Sequence, residues 1–374
     1  MNKNRRRFIQ ASILGTAAAA TAGLSQTATA KEEQKESSQG MDILILGGTG
    51  FIGPHMVREA LKRGHNVSLF NRGKTNNTLF PDLTLYKGDR DGGLDALEGH
   101  KWDAVIDNSG YVPRHVEDSA RLLSSASDYY LYVSTISTYA SFAVPNDENS
   151  PLGKLDDETV EEVTGESYGP LKALCEKRVA TEIGADKLTI LRPTYICGPG
   201  DKTDRFTYWP VRTSKGGDML WPGAPADDIQ IIDVRDFATF TIDCLEQRMT
   251  GIYNTVTPVG SYTIGDLHDD SLAVSASDMN AVWVDSDFIE EHELAEGRAI
   301  PIWSSPEGEY AKVAMVNGEK AVAAGLKNRP VRETARDALA WWNSLPEERT
   351  SVPRAGLDPA KEAGALEMWK AKRS

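Results

Sequence analysis

The chain of 374 residues carries 41 Lys and Arg against 55 Asp and Glu, which gives a formal net charge of −14. Nucleic acid and anionic membranes attract basic surfaces, so this charge argues against both as partners. With 40% hydrophobic residues, the chain has enough apolar sequence for one large domain or two smaller ones. Cys175, Cys197 and Cys244 are too few and too scattered for a disulfide framework or a zinc site, and we expect buried thiols and no metal site.

Residues 1–30 have the layout of a cleavable export signal. Three arginines at 5–7 precede a weakly apolar run over 11–24 and a small-x-small cleavage site at 28–30. Paired arginines are typical of twin-arginine signals, which export proteins that are already folded. A membrane anchor is the alternative, but the apolar run is short and rich in Ala and Thr. The sequence therefore predicts export by the twin-arginine machinery to the periplasm or the extracellular space, no stable membrane insertion after cleavage, and a polar linker over 31–40.

From residue 41 onward, short apolar runs alternate with stretches of helical spacing. The first run, Asp42–Leu46, is continuously apolar after its first residue, as expected of a parallel strand that is covered on both faces. A helix is predicted over 54–63, and further strands are predicted at 67–70, 83–86, 104–107, 130–134 and 188–191. This alternation predicts an α/β fold with a doubly wound parallel sheet of the Rossmann type.

We expect the chain to divide into a dinucleotide-binding domain and a smaller C-terminal domain. The Rossmann domain is predicted to comprise residues 41–200 and about 229–258. The smaller substrate-binding domain, with the C-terminal helices, is predicted from residues 201–228 and 259–374.

The stretch GGTGFIG lies between the first predicted strand and the first predicted helix. It contains G-x-G-x-x-G starting at Gly48 and G-x-x-G-x-x-G starting at Gly47. Glycine permits the tight turn and lets a pyrophosphate approach the backbone, while the helix offers its N-terminal N–H groups. The position of this loop predicts a dinucleotide site, and the expected contacts are Gly47, Gly50, Phe51, Ile52 and Gly53.

The end of the second predicted strand indicates which dinucleotide binds. Sites for NAD commonly carry an Asp or Glu there to hold the ribose 2′-hydroxyl. This chain has Asn71 and Arg72 at that point, with Lys74 nearby. A neutral residue followed by basic ones suits a 2′-phosphate, so NADP is favoured over NAD. The alternative is an ordinary basic surface loop, because basic residues are common at exposed turns.

Tyr168 and Lys172 form the pattern Tyr-x-x-x-Lys. Residues four apart on a helix share a face, so the ammonium can lie near the phenol. A free tyrosine has a pKa near ~10, and a lysine together with an oxidised nicotinamide favours the phenolate. Tyr168 can then remove a proton from an alcohol while hydride leaves the same carbon.

Taken together, these motifs resemble the extended short-chain dehydrogenase/reductase superfamily, in particular its NAD-dependent epimerase/dehydratase group. STISTYA at 134–140 is similar to the strand end of that group, which implies that Thr135 is the catalytic hydroxyl beside Tyr168 and Lys172. Gly88-Asp89-Arg90 resembles an adenine-contacting segment, and LRP…GPGD at 191–201 and IDVRD at 232–236 resemble later segments of the group. The resemblance implies further cofactor contacts at Asn71, Arg72, Asp89, Arg90, Ser109 and Lys172. A homodimer is one possible assembly.

Two departures bear on the substrate. Nucleotide-sugar members of the group usually carry an asparagine where this chain has Tyr195, and Asn71 replaces the acidic residue after the second strand. Both departures resemble an atypical branch that includes chloroplast stem-loop-binding proteins, some of which are linked to RNA. The net charge and the export signal argue against RNA for this chain.

The segment DRFTYWPVR at 204–212 combines aromatic residues with arginines. Such side chains can stack on a polyol and donate hydrogen bonds to it, or the aromatics can simply pack against a helix. The predicted substrate contacts are Tyr111, Tyr195, Arg205, Tyr208 and Trp209.

An exported enzyme has no external pool of NADP with which to exchange spent cofactor. A tightly held NADP or NAD and a redox-neutral reaction avoid this problem, because epimerisation returns the cofactor to its starting state. We therefore predict an NAD(P)-dependent epimerase or oxidoreductase that acts on a small, carbohydrate-like alcohol. A net dehydrogenase or reductase and a catalytically silent binding protein with the same fold are the alternatives.

Overall fold

The computed structural model describes residues 40–374, which cluster as one compact unit. The predicted export signal, and the predicted linker up to residue 39, lie outside the described residues. Across residues 40–374, no helix combines the length and the apolar character needed to cross a membrane.

The strands are β1 (Asp42–Leu46), β2 (Asn66–Asn71), β3 (Thr84–Lys87), β4 (Ala104–Asp107), β5 (Tyr130–Val133), β6 (Leu188–Pro193), β7 (Tyr195–Cys197), β8 (Asp218–Pro222), β9 (Ile231–Asp233), β10 (Gly251–Thr255) and β11 (Asn280–Val284). The α-helices are α1 (Gly53–Lys62), α2 (Pro113–Leu123), α3 (Tyr168–Ile183), α4 (Tyr208–Thr213), α5 (Val234–Glu246), α6 (Ile264–Ser275), α7 (Ser286–Glu291), α8 (Glu319–Ala323), α9 (Val331–Asn343), α10 (Glu347–Thr350) and α11 (Pro359–Lys372).

Seven strands form one parallel sheet in the order β10-β6-β5-β4-β1-β2-β3. β1 pairs in parallel with β2 on one side and with β4 on the other. The strand order therefore reverses at β1, and the carboxyl ends of β1 and β4 meet at a topological switch point, which is where open α/β sheets bind ligands. The predicted doubly wound parallel sheet is confirmed.

The predicted strands and the first helix match β1 to β6 and α1, with ends that differ by a few residues. The seventh strand, β10, was not predicted, because GIYNT mixes apolar and polar residues and begins with glycine. Two small parallel pairs, β7 with β9 and β8 with β11, were not predicted either.

The apolar run in β1 is explained by layers of helices on both faces of the sheet. Ile43 and Ile45 belong to one hydrophobic cluster, Leu44 and Leu46 belong to another, and all four side chains are fully buried. α1 packs against α5, and α2 packs against α3. Alternate side chains of a strand point to opposite faces, so both sets must be apolar when both faces are covered.

A separate hydrophobic cluster is built from residues between Cys197 and Trp369, and its largest buried side chains include Trp209 and Trp221. Most of it comes from the segments predicted to form the smaller domain, but the proposed domain boundaries stay a prediction. The three cysteines are free and buried, as predicted.

Candidate active site

A cleft of about 600 Å³ opens at the carboxyl ends of β1 and β4. It lies at the switch point of the sheet, with the glycine loop on one wall. The structure brings together here all the predicted cofactor contacts except Lys172, namely Gly47, Gly50, Phe51, Ile52, Gly53, Asn71, Arg72, Asp89, Arg90 and Ser109.

The glycine loop has the shape that a pyrophosphate requires. Gly48 has φ = 83°, a left-handed conformation that side chains with a Cβ rarely adopt. A Cβ on Gly53 would lie 2.5 Å from the Gly48 Cα, so the loop and α1 pack backbone against backbone. A Cβ on Gly50 would meet no atom within 4 Å and would project into open space. The described residues therefore fit a bound dinucleotide, with Gly50 at its point of close approach.

Replacing each of these glycines by alanine is expected to separate folding from binding. Gly53→Ala forces backbone atoms apart and should destabilise the cofactor-free protein by about 1–3 kcal/mol. Gly50→Ala should leave the free energy of unfolding nearly unchanged but weaken dinucleotide binding, because the new methyl group occupies the approach to the loop. Urea unfolding without cofactor and calorimetric titration with NAD and NADP measure the two effects. Unchanged cofactor affinity in Gly50→Ala would contradict the assignment of this loop.

Asn71 ties the end of β2 to the glycine loop. Its side-chain amide donates to the Gly47 carbonyl oxygen at 3.2 Å, and its Oδ1 accepts from the Gly73 N–H at 2.8 Å. Arg72 follows it as an exposed residue on the cleft wall, together with Lys74. The end of β2 therefore presents an amide and two cations to the cleft.

Arg90 lines the cleft, but its guanidinium group is committed to the protein. It donates to both carboxylate oxygens of Asp107, at 2.5 and 2.7 Å, and to the Ser119 Oγ at 2.5 Å. Asp107 is fully buried at the end of β4 and also accepts from the Tyr130 hydroxyl. Arg90 thus holds this buried carboxylate while lining the cleft, and its contact with the adenine stays a prediction. The signal that sequence reasoning missed was an aspartate at the end of the apolar strand AVID.

A second cavity, of about 410 Å³, adjoins the cleft. Phe51, Ile52 and Tyr111 line both spaces, and Tyr111 is about half exposed. The structure brings together in this second cavity the predicted catalytic residues Thr135, Tyr168 and Lys172 and two predicted substrate contacts, Tyr195 and Arg205. We call this space the catalytic cavity.

Tyr168 is the first residue of α3, and Lys172 lies one turn later, as the spacing predicted. The Lys172 ammonium donates to the Gly110 and Val133 carbonyl oxygens, both at 2.7 Å, and to the Tyr132 hydroxyl at 2.6 Å. All three of its protons are thus engaged, and none of these three hydrogen bonds goes to Tyr168. Burial lowers the pKa of Lys172 to about 8.

Tyr132 was not singled out in the sequence, although it contacts the lysine in two ways. Its hydroxyl accepts from Lys172 and donates to the Gly110 carbonyl oxygen at 2.9 Å. Its ring centroid lies 4.1 Å from the Lys172 Nζ, within the range of a cation–π contact. Inside the strand YLYV it has the pattern of an ordinary core residue, so no sequence signal distinguished it.

The surroundings of Tyr168 disfavour its phenolate form in the protein alone. Burial, with a smaller contribution from Tyr111, raises the pKa of Tyr168 to about 12, while a hydrogen bond with Thr135 and the positive charge of Arg205 act in the opposite direction. Thr135 is itself buried and accepts from the Ser137 N–H at 3.2 Å. The Tyr111 ring lies 6.4 Å from the Tyr168 ring, centroid to centroid. Further positive charge is needed beside Tyr168 before it can act as a base near neutral pH.

Tyr208 and Trp209 do not line the catalytic cavity, which corrects their predicted role as substrate contacts. Both are buried on α4 in the cluster between Cys197 and Trp369, and Trp209 is only 1% exposed. The Trp209 indole N–H donates to the Pro301 carbonyl oxygen at 3.2 Å. The packing interpretation of these two aromatics is therefore the one that the structure shows.

The catalytic cavity also contains residues that no motif indicated. Tyr310 stacks on Phe142, with ring centroids 6.2 Å apart and an angle of 22° between the rings. Both side chains line the cavity, although they lie far apart in the chain. Their role depends on tertiary packing, which the local sequence does not encode.

The fold and the site define a Rossmann-type dinucleotide-binding protein with a tyrosine and a lysine beside the cofactor cleft. The sequence profile described as "NAD dependent epimerase/dehydratase family" matches residues 43–255, more than half of the chain. The chain belongs to this family. The predicted class of cofactor, a nicotinamide dinucleotide, is confirmed, whereas the choice of NADP over NAD stays a prediction.

Individual relatives are distant. The chloroplast stem-loop binding protein of 41 kDa b from Arabidopsis thaliana is 27% identical over 57% of this chain and 57% of its own length. UDP-glucose 4-epimerase from Lactobacillus helveticus is 28% identical over 42% of this chain and 52% of its own length. The chain thus spans about half the length of the curated relatives it matches. The solved structure of the Bordetella bronchiseptica enzyme WbmH in complex with NAD+ superposes with a TM-score of 0.61 at 16% identity, covering 81% of this chain and 98% of that one, which shows the shared fold.

Proposed function

We propose that this protein is an NAD(P)-dependent epimerase or oxidoreductase that acts on a hydroxyl-bearing carbon of a carbohydrate-like small molecule without net oxidation. The observation that carries the proposal is the gathering of Thr135, Tyr168 and Lys172 around one cavity that adjoins the dinucleotide cleft. A substrate in that cavity lies next to the cleft in which the glycine loop would hold the cofactor.

Each of the three residues has a separate task in this proposal. Tyr168 takes the proton of the substrate hydroxyl, and Thr135 donates a hydrogen bond to the same substrate oxygen. Lys172 supplies positive charge from a position fixed by its three oxygen partners. The nicotinamide, when bound, supplies the hydride acceptor and a positive charge that favours the Tyr168 phenolate.

The character of the cavity wall supports a carbohydrate-like substrate. Tyr111, Tyr195 and Tyr310 contribute aromatic faces and hydroxyl groups, and Arg205 contributes donors. Aromatic faces suit the C–H face of a sugar ring, and the polar groups suit its hydroxyls. The name of one relative, UDP-glucose 4-epimerase, is consistent with this class of substrate.

The redox-neutral part of the proposal rests on the predicted export signal. Twin-arginine export of a folded protein would carry the cofactor out with it, to the periplasm or beyond. Exchange of spent cofactor is then impossible without an external pool. Some reactions oxidise a substrate and then reduce the same substrate, and others oxidise one substrate and reduce a second one. Either kind lets a single retained cofactor serve many turnovers.

The test is to denature the purified full chain, identify the released dinucleotide by mass spectrometry, and offer candidate sugars to the loaded protein. Reduced-nicotinamide fluorescence and product analysis are followed together. A new sugar isomer, or a coupled pair of oxidised and reduced products, without lasting fluorescence is expected. Lasting fluorescence would show a net dehydrogenase, and the absence of any product across the sugars would favour a silent binding protein.

Arg72→Ala is expected to weaken NADP binding more than NAD binding, because only NADP carries the 2′-phosphate. A charge-assisted contact contributes about 1.5–3 kcal/mol, which corresponds to roughly tenfold or more in affinity. Calorimetric titration of the cofactor-free protein with both dinucleotides measures the difference. Arg336→Ala is a matched control, because Arg336 is exposed and lies outside the cleft. An equal loss for NAD and NADP would remove Arg72 from this role.

A further inference from the structure

Arg205 is held firmly on the wall of the catalytic cavity. Its Nε donates to the Thr203 Oγ1 at 3.0 Å. Its guanidinium carbon lies 4.8 Å from the centroid of the Tyr195 ring, so the planar group is positioned over an aromatic face. Its two terminal nitrogens make no hydrogen bond to any of residues 40–374. The side chain is therefore fixed in place while most of its donors remain unused.

This arrangement sets Arg205 apart from other arginines that are largely removed from solvent. Arg192, Arg212, Arg235 and Arg349 each form an ion pair with a carboxylate. Arg205 forms none with the described part of the chain. Asp201 lines the same cavity, but its carboxylate accepts from the Thr203 N–H at 2.8 Å and from the Thr203 hydroxyl at 2.7 Å. The Arg205 guanidinium thus has no carboxylate of residues 40–374 at ion-pair distance, and Asp201 is linked to it only through the Thr203 hydroxyl.

We propose that Arg205 binds an anionic group of the substrate, a carboxylate or a phosphoryl group, and so selects anionic over neutral sugars. The inference rests on the proposed function for the identity of the reacting hydroxyl. The two terminal nitrogens of a guanidinium fit the two oxygens of either anion in a bidentate contact. A neutral polyol offers only weaker, uncharged acceptors.

The location of Arg205 places the anionic group near the reacting carbon. Arg205 and Tyr168 line the same cavity of about 410 Å³, and the positive charge of Arg205 acts to lower the pKa of the Tyr168 phenol. A substrate whose hydroxyl faces Tyr168 therefore has its neighbouring substituents in the cavity that Arg205 lines. This geometry suits an acidic sugar, or a phosphorylated one, whose charge lies within a few bonds of the oxidised carbon.

The experiment compares matched neutral and anionic sugars on the full chain loaded with NAD. The pairs are D-glucose with D-glucuronate, D-glucose with D-glucose 6-phosphate, and D-galactose with D-galacturonate, each titrated calorimetrically. The anionic member of at least one pair should bind tenfold or more tightly than its neutral partner. Preference for the uronates would assign a carboxylate, and preference for the sugar phosphate would assign a phosphoryl group.

Variants establish whether Arg205 is responsible. Arg205→Gln should remove the preference for the anionic sugar. Arg205→Lys should retain part of that preference, because lysine keeps the positive charge but cannot form the bidentate contact. Arg336→Gln, which removes an exposed arginine outside the cavity, should leave the preference intact. Equal binding within every pair, no binding of any anionic sugar, or an unchanged preference in Arg205→Gln would overturn the proposal.

Tyr168→Phe separates this proposal from the proposed function. The phenol hydroxyl is needed for proton transfer, not for holding the anion, so this variant should bind the preferred sugar about as tightly as the wild type. If an anionic sugar binds through Arg205 in the wild type but is never converted, the catalytic proposal fails and the assignment of Arg205 stands. If neutral sugars are converted and anionic ones are not preferred, the assignment of Arg205 fails and the catalytic proposal stands.

Discussion

Replacing Tyr168 by phenylalanine is expected to lower turnover by roughly 10²–10⁴-fold, the contribution of a well-placed acid–base group. The ring keeps its packing at the start of α3, and only the hydroxyl that moves the substrate proton is lost. Dinucleotide binding should be preserved, because Tyr168 lines the catalytic cavity and not the cofactor cleft. Steady-state rates and the mass-spectrometric cofactor content of the purified variant give the two measurements.

The neighbouring residues provide graded comparisons. Thr135→Val should reduce the rate by a smaller factor, since the base remains and the Ser137 hydroxyl lies 3.2 Å from the Thr135 Oγ1. Lys172→Ala should do broader damage, because it removes the ammonium that donates to the Gly110 and Val133 carbonyl oxygens and to the Tyr132 hydroxyl. A Tyr168→Phe variant with unimpaired turnover would falsify the proposed mechanism and favour the silent binding protein.

Replacing Arg192 by methionine is expected to destabilise the fold by about 3–5 kcal/mol, the usual effect of removing one member of a buried ion pair. Arg192 on β6 is 1% exposed, and its Nε and Nη2 donate to the two carboxylate oxygens of Glu176 at 2.9 and 2.6 Å. Its Nη1 also donates to the Glu148 carbonyl oxygen and to the Tyr139 hydroxyl. The substitution leaves the Glu176 carboxylate buried without its partner.

The matched control is the double variant Arg192→Met with Glu176→Met, which removes both charges. Urea unfolding should show that it is more stable than Arg192→Met alone, because no unpaired charge remains. If the single and double variants unfold at the same urea concentration, the large effect does not come from the uncompensated carboxylate. Glu176 lies on the helix that carries Tyr168 and Lys172, so the unfolding data also report how firmly that helix is held.

The sequence predicted those parts of the molecule that depend on neighbours in the chain. β1 and the glycine loop form one continuous stretch, and Tyr168 and Lys172 lie on one helix, so spacing alone was sufficient. β10 was missed because its short run of mixed apolar and polar residues is stabilised by pairing with β6, whose paired residues lie 62 positions earlier in the chain.

The less predictable parts of the site depend on which way a side chain faces after folding. In DRFTYWPVR, Arg205 faces the catalytic cavity, whereas Tyr208 and Trp209 on α4 face the core. The segment is too short for its pattern of apolar and polar residues to predict which side chains face the cavity and which face the core. The contacts of Arg90 with Asp107 and of Lys172 with Tyr132 join separate elements, so only the folded chain reveals them.

Tyr111, Phe51 and Ile52 border both the dinucleotide cleft and the catalytic cavity. A ligand bound in one of these spaces therefore contacts residues that also contact a ligand in the other. Thermodynamic linkage makes such coupling reciprocal: if the dinucleotide improves substrate affinity by some factor, the substrate improves dinucleotide affinity by the same factor. Bound substrate would then slow the dissociation of the dinucleotide, so the protein would lose its cofactor mainly when no substrate is present.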